Sequence, residues 1–88
     1  MKVLVLYRPA SEYSRIVEEF VHSLQSRFEQ LRLEVMDYDS RDGSATASLY
    51  DVMQHPAVLV VQEDGSLQKS WIGDSLPMVD EVMGYARA

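Results

Sequence analysis

Residues 57–72 read AVLVVQEDGSLQKSWI, and this stretch decides the fold. Its first five residues, Ala57–Val61, are apolar without interruption, which is typical of a strand that is covered on both faces. Asp64-Gly65 supplies the positive φ angles that a tight hairpin needs. The stretch therefore predicts a buried central strand, a hairpin turn at residues 63–66 and an antiparallel partner, Leu67–Ile72, at the edge of the sheet.

The first half of the chain predicts a strand–helix–strand unit. Lys2–Tyr7 is a second continuous apolar run, which Arg8-Pro9 ends because proline cannot continue a strand ladder. Residues 11–28 predict a helix, with Ser11 or Ser14 as its capping residue. Its apolar stripe is Ile16, Val17, Phe20, Val21, Leu24 and Phe28. Residues 31–37 alternate, so they predict a half-buried parallel strand with Leu31, Leu33 and Val35 inward.

The remaining elements complete an α/β pattern. The polar residues 39–44 predict a loop, and residues 46–53 a short helix with Leu49, Val52 and Met53 on its apolar face. Ser75 is the predicted N-cap of a last helix, with Pro77 in its first turn and a buried stripe at Val79, Val82, Met83 and Ala86. The order β-α-β-α-β-β-α predicts a three-layer α/β/α sandwich around a small mixed four-stranded sheet. Its 88 residues suit a single domain, 1–88.

Composition excludes several classes of function. The net charge of −6 makes nucleic acid a poor partner, because an acidic surface repels phosphates. The chain has no cysteine, so thiol chemistry, disulfides and thiolate metal sites are absent. Residues 37–48 do not complete a calcium loop, because Ser48 occupies the position of the bidentate glutamate, and His22 stands alone. We expect no cofactor, no metal and no membrane association; with no recognisable export signal, we expect a cytoplasmic protein.

Three segments of the chain resemble thioredoxin-like proteins, of the thioredoxin and glutaredoxin superfamily. Residues 50–57, YDVMQHPA, are similar to the family's segment that ends in a cis-proline; the resemblance implies a cis bond between His55 and Pro56. Residues 61–67, followed by Ile72-Gly73, resemble its final hairpin and the glycine after it. At the junction of first strand and first helix, the family carries Cys-x-x-Cys, where this chain has Ser11-Glu12-Tyr13-Ser14.

The serines decide what the resemblance can imply for function. Disulfide exchange needs a thiolate as attacking and leaving group, and a hydroxyl cannot replace it. We therefore expect a redox-inactive module that binds a protein or an extended peptide, not an enzyme. The alternative is a relative of an oxidoreductase acting in redox homeostasis, whose two active-site cysteines became Ser11 and Ser14 naturally or by engineering. A serine hydrolase built on Ser11 and His55 is disfavoured, because no third residue orients the imidazole.

The resemblance implies a binding groove at one end of the sheet, where the family grips an extended peptide by strand-like pairing. Its residues would be Tyr7, Arg8, Pro9, Tyr13, His55, Pro56, Gly73 and Asp74. More ordinary roles remain open: Ser11 as a helix cap, Tyr7 as a packing residue and the four methionines 36, 53, 78 and 83 as core filler. Trp71 is expected to pack on the last helix or to mark a partner surface. We expect a monomer or a weak dimer joined through the edge strand Leu67–Ile72.

Overall fold

The computed structural model describes residues 1–73 and 76–86. In chain order its elements are β1 (Lys2–Tyr7), α1 (Ser14–Arg27), β2 (Arg32–Asp37), α2 (Arg41–Leu49), β3 (Ala57–Val61), β4 (Leu67–Ile72) and α3 (Val79–Ala86). The sheet order is β2-β1-β3-β4, with β1 and β2 parallel and the other two pairs antiparallel. The predicted element order, mixed sheet and hairpin are confirmed.

Two apolar clusters explain why β1 and β3 are apolar at every position. Side chains alternate between the two faces of a strand, so a strand that is covered on both sides needs apolar residues throughout. On one face, α1 and α3 pack against Val3, Val5, Val58 and Val60 through Val17, Phe20, Leu24, Val82 and Met83. On the other face, α2 and the residues after it cover Leu4, Leu6, Ala57, Leu59 and Val61 through Ala47 and Val52. The molecule is therefore the predicted α/β/α sandwich.

Helix α1 begins three residues later than predicted, and neither serine caps it. The cap residue is Tyr13, which makes no side-chain capping hydrogen bond. The Ser11 hydroxyl instead accepts a hydrogen bond from the Tyr13 amide at 3.3 Å, in a turn that precedes the helix. Of the predicted stripe, Val17, Phe20 and Leu24 are buried, whereas Ile16 is 55% exposed.

The prediction for α2 was wrong by about one helical turn and a half, because the polar residues 39–44 contain its cap and not only a loop. The Ser40 hydroxyl accepts a hydrogen bond from the Gly43 amide at 3.0 Å, so the helix starts at Arg41. It ends at Leu49, which leaves Leu49 and Met53 exposed and Val52 buried.

Three smaller expectations also change. Val35 on β2 is 40% exposed, and Met36, on the opposite face of the strand, packs against the α2-side cluster. Pro77 lies before α3, whose first turn is held by the Glu81 carboxylate accepting from the Met78 amide. Met78 is exposed like Met53, so only Met36 and Met83 fill the core. The predicted N-cap Ser75 lies outside the described residues. Of the two expectations for Trp71, packing on the last helix is the one observed, because its ring lies edge-on to the Tyr85 ring of α3.

Candidate functional site

The predicted site residues belong to segments at one end of the sheet, beyond the carboxyl end of β1. Arg8 and residues 9–13 follow β1, Asp39 follows β2, and His55-Pro56 precedes β3. Gly73 follows β4 and ties the two segments together, because its amide donates to the Pro56 carbonyl at 2.9 Å.

Arg8 is held by an acidic residue that sequence reasoning did not single out. Its guanidinium makes two hydrogen bonds to the Asp39 carboxylate, Nε to Oδ2 at 2.6 Å and Nη2 to Oδ1 at 3.1 Å. Such a two-point contact fixes the planes of both groups. The hydrogen bond from Arg8 holds the pKa of the Asp39 carboxyl below its ordinary value of 3.8. The pair is half exposed, so it serves mainly to join the end of β1 to the β2–α2 loop.

The β2–α2 loop that carries Asp39 is built by close backbone contacts. The Asp37 carbonyl accepts hydrogen bonds from both the amide (3.0 Å) and the hydroxyl (2.7 Å) of Ser40. Gly43 approaches the same carbonyl so closely that an added Cβ would lie 1.9 Å from its oxygen. Only glycine fits there, and the loop's course, and with it the position of Asp39, depends on that fit.

The Tyr7 side chain serves the sheet–helix packing instead of a groove. It packs against the α1–α3 cluster, and its hydroxyl donates to the Glu18 carboxylate at 3.0 Å. Partial burial and this hydrogen bond raise the pKa of the Tyr7 phenol above 10.0. The packing role that was left open for Tyr7 is the one that the geometry supports.

The segment from Pro9 to Ser14 forms two successive turns. The Ser11 amide donates to the Arg8 carbonyl at 3.0 Å, and the Ser14 amide donates to the Ser11 carbonyl at 3.2 Å. Pro9 is exposed, whereas Ser11 and Ser14 are half-buried. With the Tyr13 amide directed at its hydroxyl, Ser11 is placed where a negative charge would be stabilised.

His55 is half-buried and lines a cleft. The His55–Pro56 bond is cis. The imidazole lies 5.1 Å from the Tyr38 ring, whose hydroxyl donates to the Val52 carbonyl. Its Nδ1 is buried and has no hydrogen-bond partner within residues 1–73 and 76–86. No group of that part of the chain therefore accepts or donates a hydrogen bond at Nδ1, where a catalytic imidazole has its orienting partner.

A cleft of about 410 Å³ opens beside His55. It is lined by Tyr13, Met53, Gln54, His55 and Gly73. Within the described residues, the backbone amides and carbonyls of residues 53–55 make no hydrogen bond to other backbone groups. The Met53 side chain is 84% exposed beside them. The cleft thus combines unpaired backbone groups with an apolar surface, which is what pairing with an extended chain requires.

No protein-family model matches the chain, and no curated protein matches it. Solved structures do match. Thioredoxin 1 from the thermophilic eubacterium Thermosipho africanus superposes with a TM-score of 0.72 at 14% identity, over 99% of this chain and 91% of that one. The chain has the thioredoxin fold.

Two further solved structures agree. Thioredoxin O2 from Arabidopsis thaliana, in its oxidized state, gives a TM-score of 0.71 at 13% identity over 94% of this chain and 69% of that one. A malarial protein gives 0.72 at 13% identity, over 97% and 91% of the two chains. At these identities the likeness concerns the fold, and the fold here carries no cysteine at all.

Within this thioredoxin fold, the structure brings together only part of the predicted groove. Tyr13, His55 and Gly73 line the cleft, and Pro56 is buried behind it. Arg8 and Pro9 follow β1 and do not line it, Tyr7 points elsewhere, and Asp74 lies outside the described residues. Met53 and Gln54 were missed, although they immediately precede His55-Pro56 and could have been found from that position alone.

Other features of the surface are less suited to the same role. A larger cleft of about 490 Å³, lined by Phe28, Arg32 and Met83 among others, lies at the opposite end of the sheet. None of residues 8–14 lines it. Among the described residues, no group of three acids or histidines could hold a metal ion. No helix in that part of the chain is long and apolar enough to cross a membrane.

Proposed function

We propose that this chain is a redox-inactive thioredoxin-fold module that binds an extended segment of a partner protein in the cleft beside His55. The observation that carries the proposal is that the backbone amides and carbonyls of residues 53–55, which line a cleft of about 410 Å³, make no hydrogen bond to other backbone groups of the described residues. A partner in extended conformation would satisfy those groups by strand-like pairing. Neither a cofactor nor a metal is needed for this role.

Two surfaces would add to the backbone pairing. Met53 is the largest exposed apolar group of the cleft, and full burial of a methionine side chain contributes about 1.5–3 kcal/mol. The half-buried Tyr13 ring offers a second, more rigid contact on the opposite lining. Because the whole chain carries a charge of −6, partners with basic segments would associate faster than acidic ones. The proposal includes a cytoplasmic location, which fractionation of cells expressing the tagged protein tests.

The binding test starts from a displayed library of random linear dodecapeptides. The most enriched peptide is synthesised and titrated into ¹⁵N-labelled protein. We expect amide shifts at Tyr13, Gln54, His55 and Gly73. Met53→Ser should weaken binding about tenfold, the value of a partly buried methionine.

Leu49→Ser is the matched control, because Leu49 is 73% exposed and does not line the cleft. It should bind like the unaltered protein. If no peptide is enriched, or if the shifts fall on other surfaces and Met53→Ser binds normally, the proposed binding role is wrong.

One observation keeps the oxidoreductase alternative in view. The Tyr13 amide is aimed at Ser11, and an amide in that position stabilises a thiolate where a cysteine replaces the serine. The variant Ser11→Cys/Ser14→Cys therefore distinguishes a site that still suits redox partners from one that does not. If it reduces insulin disulfides with dithiothreitol while the unaltered chain does not, the site still suits redox partners. If the double variant shows no reductase activity, the site no longer suits redox partners.

A further inference from the structure

The sheet has two edges, and within the described residues neither is paired. The strand order β2-β1-β3-β4 leaves one side of β2 and one side of β4 open. An open edge presents amides and carbonyls to any other strand, so its side chains decide what it accepts. The two edges of this sheet differ in those side chains.

The β4 edge is protected against a second copy of itself. Its pairing with β3 is irregular at Val60 and Val61, and such an irregularity twists an edge strand away from a flat partner. Lys69 is the single charged residue of β4, lies next to the middle of the strand, and would face its own copy in an antiparallel pair centred on Lys69. Its ammonium lies 5.8 Å from the Trp71 ring and 5.6 Å from the Tyr85 ring, which holds it on the strand.

The β2 edge has its backbone groups free at alternate residues. The Tyr38 amide donates to the Tyr7 carbonyl of β1 at 2.7 Å. Because backbone direction alternates along a strand, Met36, Glu34 and Arg32 also turn their amides towards β1. The amides and carbonyls of Leu33 and Val35 therefore point away from the sheet, towards the open edge.

One antiparallel register makes this edge complementary to itself. With Leu33 opposite Leu33 of a second copy, the two leucines exchange a pair of backbone hydrogen bonds. Arg32 then faces Glu34 of the second copy, twice by symmetry, at positions where cross-strand side chains are closest. The same register sets Val35 opposite Leu31. Centring the pair on Glu34 or on Arg32 would instead place like charges opposite each other.

The side chains of the edge are free to make these contacts. Arg32 is exposed and has no ion pair with the described residues. Glu34 is 48% exposed and uses only Oε2 to bind Lys2, at 2.9 Å, so Oε1 remains available. Val35 is 40% exposed, so a second strand at this edge would cover part of an apolar side chain.

From these observations we infer that two copies of the chain associate through β2, as an antiparallel pair centred on Leu33 that joins two four-stranded sheets into one. The contact involves one strand from each copy, so it belongs to the small and weak class of interfaces. The cleft beside His55 lies beyond the carboxyl end of β1 and not along the open edge of β2, so it stays open in this dimer.

The test uses charge reversal in the full chain. Sedimentation velocity over a concentration series measures the dimerisation of the unaltered protein. Arg32→Glu places two glutamates opposite each other, and Glu34→Arg does the same with two arginines. Each should raise the dissociation constant about tenfold. Arg41→Glu is the control, because it changes the net charge equally at another exposed arginine without an ion pair.

The decisive sample mixes the two reversed proteins. Arg32→Glu in one copy and Glu34→Arg in the other restore both opposite-charge pairs, so the mixture should form a heterodimer about as tight as the unaltered dimer, although each component alone dimerises about tenfold more weakly. Amides of Leu33 and Val35 should shift with concentration, whereas those of β4 should not. A monomeric wild type at millimolar concentration, an unchanged Arg32→Glu dimer, or a mixture without heterodimer would overturn the inference. Circular dichroism confirms beforehand that each variant is folded.

Discussion

Replacing Gly43 by alanine should destabilise the protein, although helix propensity alone predicts the opposite. Gly43 lies in the first turn of α2, where alanine is intrinsically favoured over glycine by about 1 kcal/mol. The added Cβ, however, would lie 1.9 Å from the Asp37 carbonyl oxygen and 2.9 Å from its carbon. Ordinary contact begins near 3.4 Å, so helix and strand must separate by about 1.5 Å.

The steric cost should exceed the gain in propensity. Overpacking against backbone costs about 1–3 kcal/mol, and the upper end applies because no flexible side chain can give way. The separation also loosens the two hydrogen bonds from Ser40 to Asp37, each of which contributes about 1 kcal/mol. We expect a net loss of about 2–3 kcal/mol in the free energy of unfolding, or a fall in Tm of about 10–20 °C for a domain of this size.

Urea denaturation followed by circular dichroism measures this change, and Gly84→Ala is the matched control. Gly84 lies in α3, and nothing lies within 4 Å of the Cβ that would be added there. That variant should therefore gain about 0.5–1 kcal/mol. The reasoning is refuted if both alanine variants change stability in the same direction. Gly43→Ala should in addition raise the pKa of Asp39 towards 3.8, because the displaced loop weakens its contact with Arg8.

Two other predictions concern residues next to the cleft. Arg8→Gln should raise the pKa of the Asp39 carboxyl, measured by NMR titration. Because folding lowers the pKa of Asp39, its contribution to stability is complete above the pKa of the unfolded state and is lost as the pH falls through the pKa of the folded state. The Arg8→Gln variant should therefore lose less stability on acidification than the unaltered protein. A pKa of Asp39 that is the same in both proteins would contradict the assignment. Gly73→Ala should cost about 1–3 kcal/mol, because Gly73 has φ +108° and its Cβ would meet Gln54 Oε1 at 3.2 Å; a variant of unchanged stability would count against that geometry.

The sequence was sufficient for the fold because the informative residues are those of the core. The continuous apolar runs of β1 and β3 reflect burial on both faces, which local pattern detects well. The start of α2 was misplaced because serine, aspartate and glycine favour loops and helix caps alike, and only the bond from the Gly43 amide to Ser40 distinguishes them.

The site was predictable only in part, because its residues act through contacts between distant segments. His55, Pro56 and Gly73 could be located from a family resemblance that follows chain order. The Arg8–Asp39 pair joins residues 31 positions apart, and the tilted ring contact between Tyr38 and His55 joins residues on two different loops. Neither has a local signature. Tyr7 was ambiguous for the same reason, since the Glu18 carboxylate that binds it lies on the adjoining helix.

The fold of this chain does not rely on thiols for its stability, since the chain has no cysteine. Ser11, just before α1, and Ser14, at its start, are half-buried, whereas Val17 is the first fully buried core residue of that helix. The turns around Ser11 are held by backbone hydrogen bonds between Arg8, Ser11 and Ser14, to which the Ser11 hydroxyl adds one more from the Tyr13 amide. The cleft beside His55 is formed by a segment whose position is set by Val52 and Pro56, both buried. The packing that holds this fold, and the cleft beside His55, therefore do not require a thiol at position 11 or 14.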